Sequence, residues 1–334
     1  MIDFKKYIPR FAGFMAGIIL LLEIFSVLFD GGFWFRQHYI FDRNARIAQI
    51  TTEPPGEIDV YNVGDSLSTS ALAPLELFRD YGITSFNCGQ DLQKPIESYY
   101  ALKTVLKDQP VKVLLYESHN LFEDEDTLDY YQSRLAEFLR YEFPFLRYHY
   151  VWLKWFKRKG IRKYFKGFLV NDGLDPYSGE EYYDWDSRKK AKLPKVNREA
   201  FEKILALCEK NDIKLVLYSA VSPVCYDITM HNRMVAVAKK YGIDYIDANY
   251  DRDKIQMDWN KDTHDKGDHL NIHGSRKMTA YLGDYLKENC DLPDHRGDPA
   301  YQSWSDLWTP YEENIKEMKG TFYSILEDQL GGFH

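Results

Sequence analysis

Cysteine is scarce in this chain. Four residues, Cys88, Cys208, Cys225 and Cys290, are spread over 334 positions. No two form a C-x-x-C pair, which excludes a zinc knuckle or a thioredoxin-type site. Four in a chain this long do not make a disulfide framework either, and they read as buried free thiols. Positive charge is not in excess. A formal net charge of -8 supplies no bulk field for nucleic acid. Internal repeats and low-complexity segments are missing, so nothing points to a repeat array. No helical i,i+4 histidine pair marks a zinc protease, and neither a metal nor a cofactor is expected. What remains is an ordinary globular composition, 28% charged and 45% hydrophobic, rich in aromatics with 26 Tyr and 20 Phe.

The N-terminus departs from that average. Lys5, Lys6 and Arg10 precede "FAGFMAGIILLLEIFSVLF", 19 residues from Phe11 to Phe29 with the single charge Glu23. The run is long enough to cross a bilayer as a helix. It exceeds a usual signal-peptide core, and no small-x-small cleavage site follows. The basic flank predicts a cytoplasmic N-terminus, with the rest of the chain outside. "FWF" at 33–35 fits an interfacial aromatic anchor. Glu23 is costly in lipid. It either meets a partner helix or lies near enough the outer interface to reach water.

Residues 1–30 are thus expected to be a tail and anchor. Residues 31–56 read as a juxtamembrane connector, broken at Pro54-Pro55-Gly56. From residue 57 to 334 the pattern is one α/β domain. Strand-like runs at 58–64, 83–89, 111–118, 213–220 and 243–249 alternate with helical stretches at 94–109, 197–212, 231–242 and 275–289. That alternation predicts a parallel sheet covered on both faces, with functional residues at the carboxyl ends of the strands. Between about 120 and 196 the pattern breaks into an aromatic and basic insertion. Lys154, Lys157, Arg158, Lys159, Arg162, Lys163 and Lys166 fall within 13 residues there. The stretch reads either as a solvated helix face with core aromatics, or as a lid or a surface for a membrane or an anionic polymer.

"VYNVGDSLST", Val60 to Thr69, ends a strand in Gly-Asp-Ser. These are ordinary turn formers, so Ser66 becomes a candidate nucleophile only with a base, an orienting acid and an oxyanion hole. "KDTHDKGDHLNIHGSRKMT", 261–279, offers His269 as base before the last helix. Asp265 or Asp268 would orient it. Adjacent residues in extended chain point oppositely, which favours Asp265.

The two blocks resemble those of the SGNH (GDSL-type) hydrolases: "VGDSLS" the nucleophile block, "DKGDHLNIHG" the terminal Asp/His block. The resemblance covers about 57–290. It implies a flavodoxin-like three-layer α/β/α sandwich and hydrolysis or transfer of acyl esters. It also implies an oxyanion hole from the N–H groups of Ser66 and Gly89, with Asn120 or His119 as a further donor. Two departures stand out. "YESHNLF" replaces the family's Gly-x-Asn-Asp, and Lys266 stands where Asp-x-x-His would place the acid. With its anchor, the chain is similar to the D-alanine transfer proteins of teichoic-acid D-alanylation. It is similar too to SGNH proteins that work beside membrane-bound O-acyltransferases in polysaccharide O-acetylation. The expected partners are then an acylated glycopolymer or acyl donor, and a membrane-bound O-acyltransferase. Two other functions are compatible with the residues: a non-catalytic accessory subunit of such a system, and a metal-dependent hydrolase using the His and Asp of "DTHDKGDHLNIH".

Overall fold

The computed structural model describes residues 4–29, 36, 44–124, 126–148, 164–179 and 186–318. The aromatic run at 33–35 and most of the basic stretch, within 149–163, lie outside the described residues. Helix α1 is Phe4–Phe29. Within it Tyr7–Leu28, 22 residues of mean hydropathy 2.3, scarcely packs against the rest of the protein. At 1.5 Å per residue that length is about 33 Å, against a hydrocarbon core of about 30 Å. The far end of α1 touches the head. The Phe25 and Phe145 rings lie 5.4 Å apart, and the Phe145 N–H donates to Ser26 Oγ at 3.4 Å.

Within the stretch expected to be a connector, a short helix α2, Ala45–Ile50, buries Ala45, Ile47, Ala48 and Ile50. Strand β1, Val60–Val63, leads into α3, Ser66–Ala71, and α4, Pro74–Tyr81. Then come β2, Ser85–Asn87; α5, Pro95–Val105; and β3, Val113–Glu117. The expected insertion contributes helix α6, Thr127–Glu142, and the antiparallel pair β4, Tyr164–Phe165, and β5, Phe168–Leu169. Helix α7 is Lys195–Lys210, β6 is Lys214–Ser219, α8 is Ile228–Tyr241, β7 is Asp244–Asp247 and α9 is Ile272–Asn289.

The main sheet runs β2-β1-β3-β6-β7, and every pairing in it is parallel. Leaving out the small hairpin, this is the flavodoxin-like 2-1-3-4-5 order, whose reversal between β1 and β3 opens a crevice at the strands' carboxyl ends. Strands β1, β2 and β3, and β6 beyond Lys214, are buried on both faces, β7 at the edge only in part, and alternate residues serve opposite layers. Tyr61, Val63, Leu114, Tyr116, Leu215 and Leu217 join Phe201, Ile204 and Met234 from α7 and α8. Val60, Val113, Leu115, Val216 and Tyr218 join Met278, Leu282 and Leu286 from α9. Helices therefore cover both sides, giving the three layers.

The end of the insertion is core. Phe165, Phe168 and Val170 belong to the first cluster. Lys166, the one residue of the basic run that the structure describes, is buried. It pairs with Glu53 at 2.6 Å and lies 4.2 Å over the Trp304 ring. Beyond α9 the chain returns to that core through Trp304, Tyr311 and Ile315. All four cysteines are free thiols, Cys88 and Cys208 buried and Cys225 and Cys290 half-buried.

Candidate active site

Gly64 ends β1 at φ +156, and a Cβ built there would lie 2.6 Å from Glu117 Cβ on β3. Only glycine lets the two strand ends pass this closely. Asp65 follows as the N-cap of α3, its Oδ1 accepting the Leu67 N–H at 3.0 Å. Ser66 is the first residue of that helix. Two buried asparagines clamp α3 to the sheet: Asn62 Nδ2 donates to Ser68 O at 3.0 Å, and Asn87 Nδ2 to Leu72 O at 2.9 Å. The nucleophile candidate thus stands on a short, tied element.

The histidine loop is tied to the same helix. Ser275 Oγ on α9 donates to Ser70 O on α3 at 2.6 Å. Asn271 caps α9, accepting from the His273 and Gly274 N–H groups. A strap from the insertion braces the loop from outside. The Lys266 N–H donates to Asp175 O at 2.8 Å, and the Ile272 N–H to Asn171 O at 2.7 Å.

Asp265 grips His269 twice. Its Oδ1 accepts the His269 backbone N–H at 2.6 Å, and its Oδ2 lies 2.5 Å from the ring Nδ1. The spacing of four rather than three residues is absorbed by two successive left-handed residues, Lys266 at φ +60 and Gly267 at φ +90. They fold the chain back so that Asp265 lies under the imidazole. Asp268 is 3.6 Å from the same nitrogen and accepts instead from the Cys225 thiol at 2.9 Å. Burial by itself lowers the His269 pKa, but the Asp265 hydrogen bond and the negative charges of Asp268, Asp265 and Asp65 outweigh it and raise the value. Burial works the other way on Asp265, and its hydrogen bonds to His269 bring its pKa below the usual carboxylate range.

Ser66, Asp265 and His269 line one cavity of about 780 Å³, together with His264, Arg46 and Asn171. His269 Nε2 is buried and has no hydrogen-bond partner, so the Ser66 hydroxyl does not contact it in this conformation. A second cavity of about 430 Å³ opens on the other side of Ser66, lined by Asp65, His119, Asn120 and Asp268. Gly89 lines neither cavity. Its N–H donates to Asn87 Oδ1 at 3.2 Å, and a Cβ there would come 3.0 Å from Ser68 Cβ. Close packing of α3 accounts for this glycine. Asn120 is likewise occupied, its Nδ2 donating to Gln93 O and its Oδ1 accepting from Tyr116 OH, both at 2.9 Å. The oxyanion donors expected at Gly89 and Asn120 are therefore turned to internal bonds.

His119, which the resemblance offers only as an alternative to Asn120, forms the second histidine–aspartate pair of the site, a pairing the sequence does not announce. Its Nδ1 lies 2.6 Å from Asp65 Oδ2. Glu117, beneath it, is fully buried and accepts from Tyr226 OH and the His119 N–H. The signal was strand-end position: His119 stands in the loop after β3 as Ser66 does after β1. His264 was passed over. Its ring stacks on His269 at 5.8 Å, and burial lowers its pKa. Among the described residues, His264, Asp265 and His269 bring one ligand atom each within 4.8 Å. Asp265 already holds His269 Nδ1, which leaves Nε2 as the ring atom open to a cation or to a proton. The Asp265 contact to Nδ1 is that of an orienting acid.

No protein-family profile and no curated protein matches the chain. Among solved structures, it is similar to a proposed acylhydrolase from Bacteroides fragilis, with TM-score 0.36, 12% identity, and coverage of 74% of this chain and 96% of that one. A gut microbial diltiazem-metabolizing enzyme gives TM-score 0.28 and 15% identity, over 70% of this chain and 48% of that one. The α/β assignment rests on the strand order of the chain itself.

Proposed function

We propose that the protein is a membrane-anchored serine esterase or O-acyltransferase acting on acylated cell-envelope glycopolymers. The observation that carries this is the meeting of Ser66, at the end of β1, with an Asp265-oriented His269 across one cavity. His269 Nε2, buried and unpartnered, takes the Ser66 proton. Ser66 Oγ attacks an acyl carbonyl, and the Ser66 N–H helps to hold the developing oxyanion. Collapse expels the alcohol, which receives the proton from His269. Water or a sugar hydroxyl then attacks the acyl-enzyme. Catalytic hydrogen bonds of this kind commonly close only around substrate.

The glycopolymer substrate, a membrane-bound O-acyltransferase partner and the D-alanine or acetyl group are supported by the resemblance of "VGDSLS" and "DKGDHLNIHG" and by the apolar α1. The basic flank at Lys5, Lys6 and Arg10 supports a cytoplasmic N-terminus. A second reading, a non-catalytic scaffold for such an acyltransferase, is favoured by the internal bonds of Gly89 and Asn120.

Hydrolysis of 4-nitrophenyl acetate by the full-length protein in detergent separates the two. An enzyme loses turnover in both Ser66→Ala and His269→Ala, and loses fluorophosphonate labelling in Ser66→Ala. Turnover indifferent to both changes, or none in the wild type with either water or a glycan as acceptor, supports the scaffold.

A further inference from the structure

We propose that His119 is a catalytic residue of this site, its ring Nε2–H donating to the anionic oxygen that forms when Ser66 attacks an acyl carbonyl. This rests on the acyl-transfer reading and chooses His119 over Asn120 and Gly89 as the donor that joins the Ser66 N–H.

The placement follows from the sheet. Val63 on β1 pairs with Tyr116 on β3. Ser66 and His119 each come three residues later, so both leave the same sheet edge from neighbouring strands. Both line the 430 Å³ cavity. Asp65 couples them physically. One of its oxygens caps the helix that begins at Ser66, and the other holds His119 Nδ1 at 2.6 Å. With Nδ1 fixed, Nε2 is the ring atom left for the cavity. The donors expected there are occupied elsewhere, Gly89 N–H by Asn87 and Asn120 Nδ2 by Gln93.

Charge divides the labour between the two histidines. Burial alone would lower the His119 pKa. The Asp65 hydrogen bond and charge outweigh it, with Glu117 and Glu123 adding to them, and raise the value to about 9. At neutral pH the ring is a cation with no lone pair for the Ser66 proton, so it is a poor base and a strong donor. The groups around it are named readily. Glu123 lies 3.7 Å from Nε2, and the Tyr226 ring stands edge-on at 5.6 Å. Lys94, Asp124, Asp129 and Asp268 line the cavity. Glu117 lies beneath, where burial and the Asp65 charge raise its pKa against the opposing His119 charge. In the attack, the Ser66 proton passes to His269 and the Oγ–C bond forms. The carbonyl π pair moves onto oxygen, which accepts from His119 Nε2–H. Collapse restores the carbonyl and expels the alkoxide with the His269 proton. His119 keeps its own proton throughout.

The test uses full-length protein in detergent, 4-nitrophenyl acetate and a fluorophosphonate whose serine adduct carries a tetrahedral oxygen. Loss of one such donor is expected to lower kcat about 10²–10³-fold in His119→Ala, with KM within about threefold of wild type. His119→Gln, which keeps a side-chain N–H, should recover at least about tenfold of that loss. The ring N–H proton signal absent from His119→Gln should move downfield when the adduct forms. If His119→Ala keeps kcat within about threefold of wild type while Ser66→Ala is inactive, the donor role is overturned and the acyl-transfer reading stands. An equal loss in Ala and Gln variants, with no shift in the adduct, makes His119 structural and also overturns it. Wild type inert to both acetate and fluorophosphonate overturns the reading itself, and this inference with it.

Discussion

His269 shows how one residue's surroundings set its chemistry. Its ring is held by a carboxylate on Nδ1, which fixes the tautomer and leaves Nε2 to accept a proton. The raised pKa has a direct kinetic consequence. A general base works only when neutral, so activity must rise with pH as the imidazolium loses its proton. The acid limb of kcat/KM for aryl acetate is therefore expected above the ordinary imidazole value of about 6.5. Asp265→Asn removes the hydrogen bond and one charge that stabilise the cation. The limb should move down in pH, and kcat should fall by about 10²–10⁴ through loss of the oriented tautomer. Asp268→Asn removes a more distant charge and leaves the Asp265 bond, so the limb should move down less with kcat nearly kept. A limb that stays in place in Asp265→Asn and moves in Asp268→Asn would reverse the assignment.

At the scale of elements, the site depends on how closely strand ends and the first helix approach. Gly64 is one such point, with a left-handed φ and a Cβ position 2.6 Å from Glu117 Cβ. Gly64→Ala is expected to destabilise the head by about 2–4 kcal/mol, from overpacking against β3 and backbone strain together. A denaturant midpoint unchanged from wild type would mean that β1 and β3 can part at no cost. The same closeness explains what could be read from sequence. "VKVLLYES" and "IKLVLYSA" announce buried strands because nearly every residue in them is apolar. Ser66, His269 and Asp265 stood out because sparse polar residues punctuate apolar runs at strand or helix ends, and the structure brings the three to one cavity. Helix α6 was not. Its apolar residues fall on more than one face, with Tyr130 buried and Leu128, Tyr131 and Leu135 exposed, so the period is blurred. The Asp65–His119 pair was hidden for another reason. It joins residues 54 apart in sequence, brought together by the register of β1 and β3, which no local pattern encodes. Gly89 shows the opposite ambiguity, since a glycine required by packing against Ser68 resembles in sequence one required by chemistry.

At the scale of the whole molecule, the question is which side of a membrane the head occupies. Helix α1 does not dangle from the domain. Its last turns meet Phe145 through Phe25 and Ser26, so the head is seated against the end of the apolar helix opposite its basic flank. A span of 22 residues matches the bilayer core with little mismatch, and the positive flank favours retention of the N-terminus in the cytoplasm. Glu23 is exposed two residues before Phe25 and three before Ser26. The topology is then testable on an exposed site far from α1 in sequence. Ser305, in the short helix Gln302–Asp306, is exposed. With the four native cysteines replaced by serine or alanine, Ser305→Cys should react with a membrane-impermeant maleimide in right-side-out vesicles and be protected in inverted ones. The reverse pattern would place the head in the cytoplasm, where an envelope glycopolymer could not reach Ser66. Equal labelling in both preparations, with the protein recovered in the soluble fraction, would show that α1 does not span at all.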